Sequence, residues 1–139
     1  MAETKRPVAF RIRARTLEHL RRRAREVGQS QTALAERYVE EGLRMDEHPL
    51  IYFREGWSGR RPALVGTRLD VWHVVETVRQ NRNSTEEAAA YLELPVEKVR
   101  ACMRYYGEFA DEIDDWTARE RAAAEREEKA FRRQQEALA

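Results

Sequence analysis

The sequence predicts a mainly α-helical protein with one N-terminal strand that must pair outside its own chain. Three observations predict it. Residues 8–13 alternate between apolar and polar side chains with a period of two. Residues 16–44 carry two apolar patterns at helical spacing, separated by Gly28. Residues 50–116 combine a short hairpin pattern with three helical patterns, a small α+β domain, and a helical tail follows.

The charges are distributed unevenly along the 139 residues, a length that suits one or two small domains. The net charge is +5 for residues 1–45, −5 for residues 46–116 and +1 for residues 117–139. The charged fraction of 37% is also high for a compact globule, which indicates solvated helices or partner surfaces. A basic first part next to an acidic middle part predicts different partners for the two.

Several classes of protein do not fit the sequence. The single Cys102 allows neither an internal disulfide nor a multi-cysteine metal site, which fits a reducing cytoplasm. No apolar run approaches membrane-spanning length, so we expect a soluble cytoplasmic protein without a membrane partner. His19, His48 and His73 share no metal-ligand spacing, and no nucleophile–base pair or phosphate loop is visible. We therefore predict no enzyme activity, no cofactor and no metal site.

The predicted strand has one apolar and one polar face. The apolar face consists of Val8, Phe10 and Ile12, and the polar face consists of Ala9, Arg11 and Arg13. A strand of this length is unstable alone, and no second strand follows nearby in the sequence. The expected partner is the same strand of a second chain, which makes the protein a homodimer.

The next two elements are predicted helices. Thr16 is the expected N-cap of the first helix, and Gly28 is expected to end it. Ser30 is the expected N-cap of the second helix, whose apolar face includes Leu34 and Tyr38.

The order strand, helix, Gly28-Gln29-Ser30, helix over residues 7–44 resembles the ribbon-helix-helix DNA-binding fold of the CopG/MetJ type. The resemblance implies an antiparallel ribbon from two chains that enters the major groove of operator DNA, where arginine can donate two hydrogen bonds to guanine. The start of the second helix would bind phosphate. The implied DNA-binding residues are Lys5, Arg6, Ala9, Arg11, Arg13, Ser30, Gln31 and Thr32. The implied dimer core is Val8, Phe10, Ile12, Leu34 and Tyr38. Ala9 departs from the pattern because an alanine side chain makes no hydrogen bond to a base.

Residues 1–45 are thus the expected ribbon-helix-helix domain, residues 46–49 a linker, and residues 50–116 the second domain. Apolar runs at 50–53 and 63–65 predict its hairpin, with Trp57 in the loop either packed or an exposed anchor. Ser84 and Glu87 predict a capping box, and Pro95 is expected at the first position of the third helix. Arg68 is expected to pair with Asp70 or a backbone carbonyl, with anion binding as the alternative.

This second unit resembles DUF433, a small bacterial domain of unknown function. The features that carry the resemblance are the first apolar run, the tetrapeptide Gly66-Thr67-Arg68-Leu69 before a helix, and the helix pair that includes residues 87–92 and 95–99. The pair is similar to a helix-turn-helix, but four glutamates around it would meet phosphate unfavourably. They are Glu86, Glu87, Glu93 and Glu97. A protein-binding or dimer-extending role is therefore expected, and Lys98, Arg100 and Arg104 leave DNA binding open.

Residues 117–139 form a charged tail with high helix propensity and little apolar surface, either a solvated helix or a segment that orders on a partner. The combination of a ribbon-helix-helix domain, a second domain for protein interaction and this charged tail resembles antitoxins of type II toxin–antitoxin pairs, of the VapB group. The resemblance implies autorepression through the N-terminal dimer and inhibition of a PIN-like ribonuclease toxin through the C-terminal part. The candidate toxin-binding residues are Trp116, Arg126, Phe131, Arg132, Arg133 and Leu138. Alternatives are a stand-alone regulator, in which the middle domain builds higher oligomers or senses a ligand, and a protein that organises DNA with little sequence preference.

Overall fold

The computed structural model describes residues 3–56 and 58–139. They divide into two compact units, Met1–Leu43 and Arg44–Ala139. Trp57, for which the sequence left loop packing and an exposed anchor open, lies outside the described residues.

The first unit contains helix α1 (Ala14–Val27) and most of helix α2 (Gln31–Glu47). The predicted end of α1 is confirmed, because Gly28 adopts the left-handed conformation (φ 68°) and its N–H reaches the carbonyls of the last turn. The predicted N-cap at Thr16 is wrong. The helix already begins at Ala14, and the Arg13 carbonyl accepts a hydrogen bond from the Leu17 N–H at 3.0 Å, so Thr16 lies inside the first turn.

Helix α2 begins where the sequence predicts, because Ser30 Oγ accepts a hydrogen bond from the Ala33 N–H at 3.0 Å. It ends later than expected, at Glu47, so residues 46 and 47 of the predicted linker are helical. The His48 N–H still donates to the Arg44 carbonyl at 2.8 Å. Pro49 then follows, and a proline disfavours the helical conformation of the residue before it.

Residues 3–13 contain neither helix nor strand within the single chain. The expected strand of residues 8–13 needs the backbone of a second chain for its hydrogen bonds, and the structure holds one chain. The ribbon therefore stays a prediction.

The second unit starts with the predicted hairpin, which is confirmed. Strand β1 (Ile51–Gly56) pairs antiparallel with strand β2 (Gly59–Leu64), with Ile51 opposite Leu64 and Gly56 opposite Gly59.

Helices α3 (Val71–Gln80), α4 (Thr85–Leu92) and α5 (Val96–Glu108) follow, as predicted. The Glu87 N–H donates to Ser84 Oγ at 3.1 Å, which confirms Ser84 as the N-cap of α4. The reciprocal half of the predicted capping box is wrong, because the Ser84 N–H donates to the Asn81 carbonyl at 3.0 Å and the Glu87 carboxylate lies 3.3 Å from Arg82. Pro95 lies one position earlier than expected, as the N-cap of α5. Glu93 takes the left-handed conformation between α4 and α5 (φ 57°), where glycine is the usual residue.

The last helix, α6 (Ala110–Leu138), joins the core of the second unit with its first turns. Ile113, Trp116 and Thr117 are buried, and Glu120 accepts a hydrogen bond from Arg61 of β2 at 3.1 Å. The expected start of a separate tail at residue 117 therefore falls inside the packed part of this helix. Within the described ranges, no helix has the length and apolar character needed to cross a bilayer.

The core of the second unit is formed by one face of the hairpin and the inner faces of four helices. Its buried members are Ile51, Leu64, Val71, Val74, Val75, Val78, Ala88, Ala89, Val99, Cys102, Tyr105 and Ile113. Burial raises the pKa of the Cys102 thiol to about 12, so it is protonated and unreactive at neutral pH.

A buried carboxylate, Asp70, connects this core to the hairpin. Asp70 directly precedes α3 and is 5% exposed. Its Oδ1 accepts a hydrogen bond from Arg54 Nε at 2.8 Å, and its Oδ2 accepts one from Trp72 Nε1 at 3.2 Å and lies 3.3 Å from Arg61 Nε. The expected Arg68–Asp70 pair is wrong, because two arginines of the hairpin already occupy this carboxylate and Arg68 is exposed.

We expect replacement of Asp70 by alanine to lower the free energy of unfolding by about 3 kcal/mol. Removing one partner of a buried ion pair leaves the remaining charges without compensation, and two arginines lose their acceptor here. Urea denaturation checks this value. The exposed Asp111→Ala is the matched control and should cost less than about 1 kcal/mol. Equal effects of the two substitutions would contradict the role of Asp70.

Candidate functional site

The first unit has almost no core of its own. Among its described residues only Ala24 and Leu34 are buried. A unit of this size with two buried side chains gains far too little from burial to offset the loss of chain entropy. Apolar surface that would stabilise it is present, but it faces outward.

That exposed surface includes the apolar face predicted for the strand. Val8 is 81% exposed, Phe10 65% and Ile12 41%. Phe10 and Ile12 line an open groove with Leu20 of α1 and Tyr38 of α2. The structure thus brings together four residues of one apolar surface, three of them from the predicted dimer core.

The other two members of the predicted dimer core, Val8 and Leu34, differ in their surroundings. Val8 is the most exposed residue of the row. Leu34 is fully buried within its own unit, where it holds α2 in place. Leu34 can therefore hold α2 in position for an interface, but its side chain is not exposed to contact a partner.

The predicted DNA-reading residues alternate with the apolar row and are all exposed. Ala9, Arg11 and Arg13 belong to this set. Arg6 is exposed as well, whereas Lys5 is held in an exposed ion pair with Glu36 at 3.0 Å. An exposed pair of this kind contributes little to stability and can be exchanged for a phosphate.

The start of α2 presents the predicted phosphate-binding residues. Gln31 and Thr32 are exposed, and no acidic residue lies in the first turn of the helix. Ser30 Oγ already accepts the capping hydrogen bond, so its hydroxyl keeps a proton that it can donate to an anion. The positive end of the helix dipole also lies at the start of α2 and favours a bound anion there.

The residues predicted to bind a toxin separate into a buried and an exposed group. Trp116 is 6% exposed, with the Arg61 guanidinium over its ring at 5.8 Å. It is a core residue and is not accessible to a partner, which corrects the prediction. Phe131 and Leu138 are 59% and 75% exposed.

The exposed members of this group lie on two opposite faces of α6. Phe131 and Leu138 are seven residues apart, so they share one face of the helix. Arg126 and Arg133 share another face, which is rotated by about 140° from the first. Arg132 lies between them and pairs with Glu128. One flat partner surface cannot contact both faces at once.

The tetrapeptide Gly66-Thr67-Arg68-Leu69 forms a tight turn after β2. Thr67 Oγ1 donates to the Leu64 carbonyl at 2.8 Å and accepts from the Leu69 N–H at 3.0 Å, and Gly66 adopts a positive φ of 77°. Glycine and threonine therefore have structural tasks in this turn. Arg68 is exposed and has no ion-pair partner among the residues that the structure describes, so anion binding by Arg68 stays a prediction.

The helix pair α4–α5 places its charges against one another. Arg100 of α5 donates to Glu86 of α4 at 2.8 Å, and Arg82 lies 3.3 Å from Glu87. Two of the glutamates thus neutralise nearby arginines, which weakens this surface as a DNA-binding site.

The end of α2 carries a second polar cluster that sequence reasoning missed. Arg44 donates to Tyr105 Oη at 2.9 Å and to Glu112 at 2.6 Å, and its guanidinium stacks over Phe109 at 4.0 Å. Burial alone would lower the pKa of Arg44, but Tyr105 and Glu112 raise it, so Arg44 stays charged. Burial is also the main reason why the pKa of Tyr105 is raised to about 12.

The same region brings together one histidine and two glutamates. One ligand atom each of Glu47, His48 and Glu108 lies within 4.8 Å of the others. Sequence reasoning missed this cluster, because its members come from the ends of two helices about 60 residues apart in the chain. The only signal was the acidic residue directly before His48.

The second unit is a hairpin followed by a layer of helices, the class of small domain that the sequence suggested. Residues 51–106, from β1 into α5, match the family described as protein of unknown function DUF433. No curated protein and no solved structure matches the chain. The match does not include the first unit, helix α6 or the three residues Glu47, His48 and Glu108.

Proposed function

We propose that this chain is the antitoxin of a type II toxin–antitoxin pair, a homodimer that represses its own operon. In this proposal the N-terminal unit binds operator DNA as a ribbon-helix-helix dimer, and the C-terminal helix inhibits a ribonuclease toxin. The observation that carries it is the row Val8, Phe10 and Ile12, which is exposed in the single chain and alternates with Arg11 and Arg13.

The exposed row supports dimerisation through its spacing. Three large apolar side chains at every second position match one face of a strand. The strand of a second chain would supply the missing backbone hydrogen bonds. The apolar faces of the two strands would then be buried together. In a C2 dimer both copies use the same surface, so the strand of each chain donates and accepts the backbone hydrogen bonds of the other.

The polar face of the same row supports DNA binding. A two-stranded ribbon fits the major groove, and each dimer would place four arginines there, Arg11 and Arg13 from each chain. The net charge of +5 over residues 1–45 favours approach to phosphate. Phosphates bound at the start of α2 would set the register of the ribbon.

The exposed half of α6 supports a protein partner. After residue 123 all side chains of the helix are exposed, and Phe131 and Leu138 form an apolar stripe that no residue within 3–56 or 58–139 covers. A solvated helix with large apolar residues gains stability when a partner buries them. The toxin partner accounts for this exposed stripe directly, and for that reason we place the antitoxin before the stand-alone regulator.

Dimerisation is tested with Phe10→Glu. Burial of this side chain contributes about 2 kcal/mol per copy, so we expect the dimer dissociation constant to rise at least about a hundredfold. Sedimentation equilibrium measures the change. Tyr91→Glu, an exposed residue of the second unit (74%), is the control and should leave the dimer intact. A dimer of unchanged strength in Phe10→Glu would exclude the ribbon as the interface.

DNA reading is tested by replacing Arg11 and Arg13 with alanine together. Each arginine–guanine pair discriminates by about 1–3 kcal/mol, so operator affinity should fall to the level of unrelated DNA while the dimer persists. Titrations by mobility shift at one stated salt concentration compare the two DNAs. Arg21→Ala with Arg22→Ala removes the same charge from α1 and should weaken both DNAs alike. A preserved preference in the Arg11/Arg13 variant would refute the assignment.

Toxin binding is tested by ending the chain after Ala124, which keeps every buried residue of α6. We expect this variant to bind operator normally but to lose inhibition of the ribonuclease encoded by the adjacent gene. If the apolar face of α6 binds the toxin, the double variant Phe131→Ala, Leu138→Ala should also lose inhibition. If the basic face binds it, the double variant Arg126→Ala, Arg133→Ala should lose inhibition instead. Full inhibition by the shortened chain would rule out the tail. An adjacent gene without a nuclease would favour the stand-alone regulator.

A further inference from the structure

We propose that Glu47, His48 and Glu108 form a binding site for a divalent first-row transition metal such as Zn²⁺. The ligand atoms of the three residues lie within 4.8 Å of one another. All three belong to the second unit, and the proposal does not depend on DNA or toxin binding.

The histidine is the fixed member of the site. His48 is 6% exposed, and Tyr105 and Phe109 pack edge-on against its ring at 5.1 and 6.1 Å. Its Nε2 lies 2.8 Å from Glu108 Oε2. This separation is close to the roughly 3.3 Å edge of a tetrahedral zinc site with bonds of about 2.0–2.1 Å, so a small shift of the carboxylate would admit the ion.

The two carboxylates are the adaptable members. Glu47 ends α2, Glu108 ends α5, and both side chains are exposed. Their rotatable side chains can close the remaining distance, up to 4.8 Å, without a change in either helix. Two negative charges this close repel each other, and a divalent cation between them removes the repulsion.

The donor set selects the class of metal. One imidazole nitrogen and two carboxylate oxygens suit Zn²⁺ and its neighbours in the first transition row, whereas Ca²⁺ and Mg²⁺ prefer oxygen alone. Three protein ligands on an exposed side leave a fourth position for water or for a group of a partner. A bound ion would tie the last residue of α2 to the last residue of α5.

Isothermal titration of the full-length, EDTA-dialysed protein with ZnCl₂ tests the site. We expect one Zn²⁺ per chain, and affinity lower by at least about tenfold in both Glu47→Gln and Glu108→Gln, since even outer-shell changes cost this much. Glu125→Gln is the matched exposed control, and His19→Gln tests for adventitious binding at a surface histidine. Both should bind as the wild type does.

Titration with CoCl₂ gives an independent readout, because Co²⁺ in a four-coordinate protein site absorbs visible light much more strongly than the hydrated ion. We expect a strong, saturable visible band in the wild type and a weaker one in Glu47→Gln. Because the Glu47 side chain is exposed, Glu47→Gln should fold normally even if Glu108→Gln does not. Absence of saturable binding in the wild type, or wild-type affinity in Glu47→Gln, would overturn the proposal. Loss of binding in His19→Gln alone would do the same.

Discussion

The second unit depends on the buried carboxylate of Asp70. It joins both strands of the hairpin, through Arg54 and Arg61, to the beginning of α3. Arg61 extends the connection to Glu120 of α6. A short hairpin is marginally stable in water, and here two of its side chains are tied to a residue that the helical core holds in place. Because these charges are mostly shielded from solvent, removal of any one partner lowers the free energy of unfolding strongly.

The first unit differs, because among its described residues, 3–43, no buried ion pair connects the elements. Its two helices are well capped, by Gly28 at the end of α1 and by Ser30 at the start of α2. Caps fix where helices begin and end, but they contribute only about 1 kcal/mol each. Stability has to come from burial, and the apolar side chains that could supply it, such as Phe10, are exposed. This exposed apolar surface is the observation on which the proposed dimer rests.

Local signals in the sequence predicted the helix ends set by Gly28 and Ser84 and the hairpin, because each depends on residues close in the chain. Features that depend on distant residues were missed. Trp116 is buried by contacts with residues such as Arg61, which no local pattern reveals. The proximity of Glu47 to Glu108 likewise arises only when α2 and α5 end side by side. The strand at residues 8–13 stays open for the same reason, since its expected partner belongs to another molecule.

Helix α6 has a packed first part and an exposed second part, and each has its own physical consequence. Its first turns bury Ile113 and Trp116, which makes the start of the helix part of the core. A helix nucleated there extends at little further cost, because each added residue gains one hydrogen bond for the backbone it orders. The exposed half is thus held in helical form before any partner arrives, and a partner that binds Phe131 and Leu138 need not supply the free energy of ordering. A preformed arm of this kind would favour tight inhibition by a short segment.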